Sequence, residues 1–359
     1  VSSQPAGLAP ALQRIWQRRG PAAWLLLPIS LLFGLLAGVR RWLYRIGWLK
    51  AERLPVPVVV VGNIFVGGTG KTPLTIWLAQ QLRNAGYRPG VLSRGYGANV
   101  EVPRLVTADS RPEEVGDEPL LIASHAGCPM AVGRNRAAAG AMLLRAHPDV
   151  DLLLLDDGLQ HYALARDVEV MLFDGRGAGN GFMLPAGPLR EPLSRRRDVT
   201  VINGAGNAPG VAPDAFRMSL KGDMAVQLAQ PDRRISLEEL ASQRPAPRIA
   251  AAAGIGNPER YFGMLEAAGL RFSRLPLPDH HAFHDNPFAR LDADVILITE
   301  KDAVKCRHSE PLRNDPRLWF VPVEAVIDVA LADTIVEKLR GFPTDRHPGL
   351  PHLQTPAGL

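Results

Sequence analysis

A chain of 359 residues, 46% hydrophobic and 21% charged, is long enough for one large or two moderate cores, and this argues against global disorder. Its two cysteines, Cys128 and Cys306, lie far apart and outside any C-x-x-C or Cys/His metal spacing, so neither a disulfide scaffold nor a structural zinc is expected and both thiols fit a reducing compartment. The net charge of +5 suits an anionic partner, but no dense basic stripe interleaved with aromatics runs through the sequence, so nucleic acid is not the expected one.

Residues 21–39 carry no charge. As a helix rising 1.5 Å per residue they span about 28 Å, close to the roughly 30 Å hydrocarbon core of a bilayer. Trp24, Trp42 and Tyr44, with Arg18, Arg19, Arg40, Arg41, Arg45 and Lys50, provide interfacial anchors at both ends. No small-residue cleavage site precedes the arginines, which argues against a signal peptide. Pro28, Gly34 and Gly38 weaken a straight crossing, so residues 1–50 are expected to form a membrane-associated helical segment that either spans or lies in one leaflet.

The next strand is expected at 56–61, and it runs into Val66-Gly67-Gly68-Thr69-Gly70-Lys71-Thr72-Pro73. Gly67, Gly68 and Gly70 let backbone N–H groups approach phosphate oxygens, with Thr69 between them; Lys71 can reach the β and γ phosphates and the Thr72 hydroxyl can ligate Mg²⁺. A nucleoside triphosphate is therefore the expected cofactor. The first glycine of the usual pattern is replaced by Phe65. A helix follows at 73–85, with Pro73 tolerated in its first turn and Gly86 as its stop.

Further strands are expected at 89–93, 150–155, 168–173 and 199–202, with a helix at 134–147. Apolar strands alternating with helices predict a parallel sheet covered on both faces. The polar, proline-bearing stretch 229–247 reads as a boundary. Beyond it come a strand at 249–253, a helix at 258–269 and strands at 295–299 and 318–321, then a helix at 329–340. The expected division is a membrane-associated segment at 1–50, a main domain at 51–240, a smaller α/β domain at 241–317, a strand and helix at 318–342 that could return to the main domain, and a loose tail at 343–359.

Four clusters could carry chemistry. The strand Leu152–Leu155 ends in Asp156-Asp157, placing carboxylates where open α/β sheets bind ligands; Asp156 could hold Mg²⁺, with Asp157 and Gln160 orienting metal or substrate, although a helix-capping pair fits the same letters. Gly116-Asp117-Glu118-Pro119 sets two acids in a turn before a helix at Leu120, and Asp117 is a candidate base for an attacking hydroxyl or an ordinary first-turn acid. Asp279-His280-His281 and His284 could hold zinc, share a proton with Asp117, or form a surface cluster. Leu189-Arg190-Glu191-Pro192 offers an arginine for phosphate, while Arg195-Arg196-Arg197 reads as a solvated loop.

In this order, the phosphate-loop motif, Ser93-Arg94-Gly95-Tyr96-Gly97, Gly116-Asp117-Glu118-Pro119, Asp156-Asp157-Gly158-Leu159-Gln160-His161, Leu189-Arg190-Glu191-Pro192, Gly254-Ile255-Gly256-Asn257-Pro258, Asp279-His280-His281 and Thr299-Glu300-Lys301-Asp302-Ala303-Val304-Lys305 are specific. Over about residues 15–342 the chain resembles the tetraacyldisaccharide 4′-kinase (lipid A 4′-kinase) family. The resemblance implies a P-loop NTPase-type α/β fold with a smaller second α/β domain and an N-terminal membrane helix. It also implies a lipid A biosynthesis enzyme at the cytoplasmic face of the inner membrane, moving the γ-phosphate of ATP, with Mg²⁺, to the 4′-hydroxyl of an acylated disaccharide 1-phosphate to form lipid IVA. No obligate protein partner is expected. Carried over residue by residue, Asp117 is the implied base and His280 its partner, with His281 as fallback. Lys71 serves the phosphates, and Glu118, Asp156, Asp157, Gln160, His161 and Glu191 support the metal and substrate. The rival readings are a membrane-bound P-loop ATPase with no lipid acceptor and a kinase for a small molecule; Thr299-Glu300-Lys301-Asp302 lacks the spacing a GTPase uses for guanine.

Overall fold

The computed structural model describes residues 8–340 except 99, 205, 207, 212 and 213, with side chains from residue 12 onward. The tail expected at 343–359 and the first seven residues lie outside the described residues.

Two helices open the chain, α1 (Leu8–Ile15) and α2 (Pro21–Arg45). The strands of the first sheet follow: β1 (Val58–Gly62), β2 (Pro89–Ser93), β3 (Arg104–Val106), β4 (Met130–Val132), β5 (Leu152–Asp156), β6 (Val168–Asp174), β7 (Val199–Asn203) and β8 (Phe216–Lys221). The second sheet takes β9 (Met224–Gln227), β10 (Arg234–Ser236), β11 (Ile249–Ala253), β12 (Ser273–Pro276), β13 (Val295–Thr299) and β14 (Leu318–Val321), and β15 (Glu324–Ile327) returns to the first. Between them run α3 (Lys71–Asn84), α4 (Pro112–Val115), α5 (Asp117–Ala126), α6 (Arg136–Ala146), α7 (Leu237–Ser242), α8 (Pro258–Ala267), α9 (Glu300–Cys306), α10 (Glu310–Arg313) and α11 (Ala330–Leu339).

The first sheet has the order β15-β8-β7-β6-β1-β5-β2-β4-β3, parallel from β8 to β4 with an antiparallel strand on each edge. Its central strands are buried along their whole length, which is why they read as unbroken Val and Leu runs. One face packs α3 and α11 through Leu74, Leu78, Leu82, Leu331 and Ile335; the other packs Ile64, Leu143, Leu159 and Phe173. The second sheet, β10-β9-β14-β13-β11-β12, has its own cores around Phe283 and Phe288 on one side and Phe262 and Leu265 on the other.

The chain crosses between sheets at 221–224 and returns at 321–324, so β9 already belongs to the second sheet ahead of the polar 229–247 stretch, and β10 lies within that stretch. The expected strand at 318–321 pairs with β13 in the second sheet; the return is made by β15, which the sequence reading lacked, and by α11.

Helix α2 lies along the first sheet's domain. The Trp24 and Phe182 rings meet edge-on at 5.3 Å, the Ser30 hydroxyl donates to the Met183 carbonyl at 2.7 Å, Arg41 reaches Glu191 at 3.7 Å, and Tyr44 sits 5.9 Å from Tyr162. Gly34 allows the close approach, since a Cβ there would lie 3.3 Å from Met183 Cε. The opposite side leaves Leu25, Ile29, Leu32, Leu35 and Leu36 exposed. Among the described residues α2 is the one helix long and apolar enough to cross a membrane.

Candidate active site

β1 delivers its carboxyl end to the glycine loop, and α3 begins at Lys71, two residues before the expected start. Gly70 caps α3 with φ +97°, a backbone setting that side-chain-bearing residues avoid, so the first amides of the helix turn into the loop. Three bonds brace the loop: Asn63 Nδ2 donates to Thr69 Oγ1 at 2.9 Å and to the Gly67 carbonyl at 3.3 Å, and Asn203 Nδ2 donates to the Thr69 carbonyl at 2.9 Å. Phe65, at the place of the missing glycine, is buried, and the Arg176 guanidinium stacks 4.3 Å from its ring.

A cleft of about 1150 Å³ opens between the two sheets at this loop. Gly67, Gly68, Thr69, Gly70, Lys71, Thr72, Glu118, Asp156, Asp157, Gln160, His161, Arg190 and His280 all line it, so the structure brings nearly every expected site residue into one space. Asp117 and Glu191 stand behind the wall. Lys71 Nζ lies 3.4 Å from Asn63 Oδ1 and 3.5 Å from Asp157 Oδ1.

Asp156, at the end of β5, accepts from the Thr75 hydroxyl at 2.9 Å. Burial, then the negative charges of Glu118 and Asp157, push its carboxyl up to about 7. The buried Asp157 Oδ1 has no hydrogen bond, only the longer ion pairs to Lys71 at 3.5 Å and Arg190 at 3.9 Å. Crowded, under-paired carboxylates beside the phosphate loop fit a divalent cation, which hard oxygen donors favour.

Helix α5 begins at Asp117 itself, earlier than the expected Leu120, so both acids sit in its first turn. Asp117 is 4% exposed. His280 Nδ1 lies 3.4 Å and Lys305 Nζ 3.2 Å from Asp117 Oδ2, with Lys301 Nζ at 4.0 Å. Burial alone would raise the Asp117 pKa, but His280, Lys301 and Lys305 outweigh it and hold the carboxyl well below the usual range. Lys301 also pairs with Glu118 at 2.8 Å and approaches His280 Nε2 at 3.4 Å. An ammonium can only donate, so Nε2 is the acceptor and the imidazole proton sits on Nδ1, toward Asp117. His281 faces elsewhere: its Nδ1 accepts the Phe283 N–H at 3.1 Å and its Nε2 lies 3.6 Å from Asp285. The pairing with Asp117 therefore falls to His280.

Glu191 is a buried hub that accepts from Gln160 at 3.1 Å, Tyr162 at 2.5 Å and Arg195 at 2.7 Å. Arg195, expected in a solvated loop, is buried and also grips both Glu169 oxygens at 2.7 Å. Glu191 is its i−4 neighbour, but Glu169 lies 26 residues away and reaches it only through the fold, which is why letter polarity alone misplaced it. Arg40, Arg94, Arg134 and Arg136 join Arg190 on one cationic wall. Burial, then Arg136 and its neighbours, hold His161 down at about 4, and Arg136, lowered to about 10 by burial and Arg94, keeps a buried Nε without a partner.

A glycine loop at the end of a central parallel strand, with a buried aspartate ending the adjacent strand, defines a P-loop nucleotide-binding protein. The family model described as tetraacyldisaccharide-1-P 4′-kinase (LpxK) matches residues 22–340. The chain is 63% identical over 343 residues to the tetraacyldisaccharide 4′-kinase of Janthinobacterium sp. (strain Marseille), covering 95% of this chain and 99% of that one. It is 61% identical over 350 residues to that of Herminiimonas arsenicoxydans, covering 95% and 98%. The crystal structure of LpxK from Aquifex aeolicus in complex with ATP superposes with a TM-score of 0.71 at 26% identity, over 88% of this chain and 99% of that one. The chain belongs to the tetraacyldisaccharide 4′-kinase family.

Proposed function

We propose that this chain transfers the γ-phosphate of ATP to the 4′-hydroxyl of an acylated disaccharide 1-phosphate in lipid A biosynthesis. The observation that carries the reading is the cleft itself, with the phosphate loop on one side and the Asp117–His280 pair on the other. The two sheets are read as two domains, the larger binding nucleotide and the smaller bringing His280 to it.

Loop amides and Lys71 receive the triphosphate, and Asp156 and Thr72 would hold Mg²⁺, supported by Asp157; bound there, the ion would neutralise phosphate charge. The acceptor hydroxyl attacks in line, and its proton leaves to the Asp117–His280 pair. His280 faces the cleft and Asp117 lies behind it, so the proton meets the imidazole first and the carboxylate stabilises the cation that forms. Glu118 holds Lys301 in place. The cationic wall of Arg94, Arg136 and Arg190, with neutral His161, suits the acceptor's own phosphate, since an anion there would satisfy the unpartnered Arg136 Nε.

Helix α2 touches its domain from Trp24 to Tyr44, so it is read as lying in one leaflet, apolar side down, with the cleft at the bilayer surface on the cytoplasmic side. The test is incubation of purified protein with γ-labelled ATP, Mg²⁺ and tetraacyldisaccharide 1-phosphate. Label at the 4′ position supports the reading; ATP consumed with no labelled lipid would transfer it to a membrane ATPase.

A further inference from the structure

We propose that Arg260, supplied by the second domain, is the arginine that neutralises charge on the nucleotide phosphates during transfer, an assignment that rests on the kinase reading above. Arg260 sits in the first turn of α8 and reaches across to the other sheet's phosphate loop. Its Nη2 lies 3.2 Å from Asp174 Oδ2 and its Nη1 3.5 Å from the Thr69 carbonyl. The turn before α8 packs directly on the loop, where a Cβ on Gly256 would stand 3.1 Å from the Gly68 nitrogen.

The charge count at this point is uneven. Asp174, 2% exposed at the end of β6, is already matched by Arg176, whose Nε bonds both carboxylate oxygens at 3.0 and 3.1 Å and whose Nη2 bonds one at 2.7 Å. Arg260 adds a second guanidinium to the same carboxylate, by a longer contact. Asp174 and Arg176 are set back from the cleft, whereas Arg260 lines it. A surplus cation at the rim of a phosphate loop, held to its carboxylate at 3.2 Å where Arg176 already bonds it at 2.7 Å, calls for an anion. The triphosphate is the anion that this loop would receive.

In the transfer, a bond forms from the acceptor oxygen to the γ phosphorus while the bond from that phosphorus to the β,γ-bridging oxygen breaks, leaving ADP. The hydroxyl proton goes to the Asp117–His280 pair. Arg260 gives up no proton; its planar fork offers two N–H donors to oxygens whose charge grows as the bridge opens. Because the same domain carries His280, one approach of the second domain would complete both ends of the reaction.

The test compares wild type, Arg260→Ala and Arg260→Lys in lipid phosphorylation, in calorimetric binding of ADP with and without aluminium fluoride, and in turnover with added guanidinium. The expected result is a fall in kcat of roughly 10³-fold for Arg260→Ala, as for other arginines placed on a transferring phosphoryl group. ADP affinity should hold, the tightening of ADP by aluminium fluoride should vanish, and guanidinium should restore part of the turnover. Unchanged kcat would overturn the assignment. So would a fall matched by equal loss of ADP affinity with no rescue, which marks a clip between domains. Wild type that labels no lipid would remove the kinase reading, and the aluminium fluoride comparison would still decide Arg260.

Discussion

Asp117 and His280 meet across the two sheets, the carboxylate on the first turn of α5 and the imidazole on the loop after β12, with 3.4 Å between Oδ2 and Nδ1. His280 holds φ +58°, a setting few residues with a Cβ adopt without support. Tyr96, 5.0 Å from the ring, and Lys301 on its far nitrogen supply that support. Neither sheet with its own helices and loops contains the pair, so the proposed proton acceptor forms only where the two sheets meet.

Groups that act as one unit lose their effect together. Asp117→Asn and His280→Ala should each lower kcat by about 10²–10⁴ and leave ATP binding nearly intact, because neither residue belongs to the loop. The double variant should be no slower than the slower single one. Steady-state kinetics with a parallel ATP titration checks this, and additive losses would show two independent roles.

Asp156 gives a pH-dependent stability with a definite sign. Its folded pKa, about 7, is raised above the unfolded value, so the native state binds the extra proton between roughly pH 4 and 7. Without nucleotide or metal, stability should therefore fall as pH rises through that window. Asp156→Asn should melt at a higher temperature than wild type at pH 8 in EDTA, by an amount worth about 1–4 kcal/mol. At pH 5, where the wild-type carboxyl is protonated, the two should nearly coincide. The same variant should lose Mg²⁺-dependent turnover. A higher melting point at pH 5 than at pH 8 for the variant alone would contradict the assignment.

What the letters revealed follows from how far apart the cooperating residues lie. The phosphate loop and the β5 acids are contiguous signals whose hydrophobic strands and glycines dictate their geometry, and β2, β11, β13 and β14 sit at their expected bounds. Strands at or beside the sheet's edges were missed because they are short or partly exposed: β3, on one edge, has three residues, and β8, one strand in from the other, alternates without a long apolar run. Arg195 was misread because Glu169, the partner that takes both ends of its guanidinium, approaches only through the fold. Arg260 gave no signal at all, since an arginine in the first turn of a helix is ordinary until the other sheet's loop is placed beside it. The choice of His280 over His281 likewise needed a backbone turn that no spacing specifies.

The two sides of α2 should separate membrane affinity from catalytic geometry. Leu32 and Leu36 are more than half exposed on the outer side. Replacing both by Glu removes apolar area from the proposed bilayer contact and sets charge against it, so the protein should shift from membrane pellet to supernatant in vesicle sedimentation while binding ATP normally. Gly34→Leu acts on the inner side, where Met183 leaves no space for a larger side chain. It should keep the protein on vesicles and reduce lipid phosphorylation, because it pushes α2 off the loop that leads to Arg190 and Glu191. Loss of vesicle binding by Gly34→Leu but not by the double Glu variant would reverse the assignment of the two sides.

Gly70 offers the sharpest test of the phosphate loop. At φ +97° a side chain is strained whatever the space, and here the space is also filled: an added Cβ would collide with Asn203 Nδ2 and lie 3.2 Å from Met218 Cε. Holding a non-glycine residue in this setting costs about 1–3 kcal/mol. The free protein can relax by swinging the loop off Asn203, releasing the 2.9 Å bond to the Thr69 carbonyl, but the phosphate-bound loop cannot relax without losing its amide cradle. The penalty should therefore appear in affinity, and Gly70→Ala should weaken ATP binding by roughly 10-fold or more at the tenfold per 1.4 kcal/mol conversion. Gly175→Ala, where nothing lies within 4 Å and φ is ordinary, should bind ATP like wild type. Titration with a fluorescent ATP analogue measures both, and equal affinities for the two variants would mean that the loop does not need this conformation when nucleotide is bound.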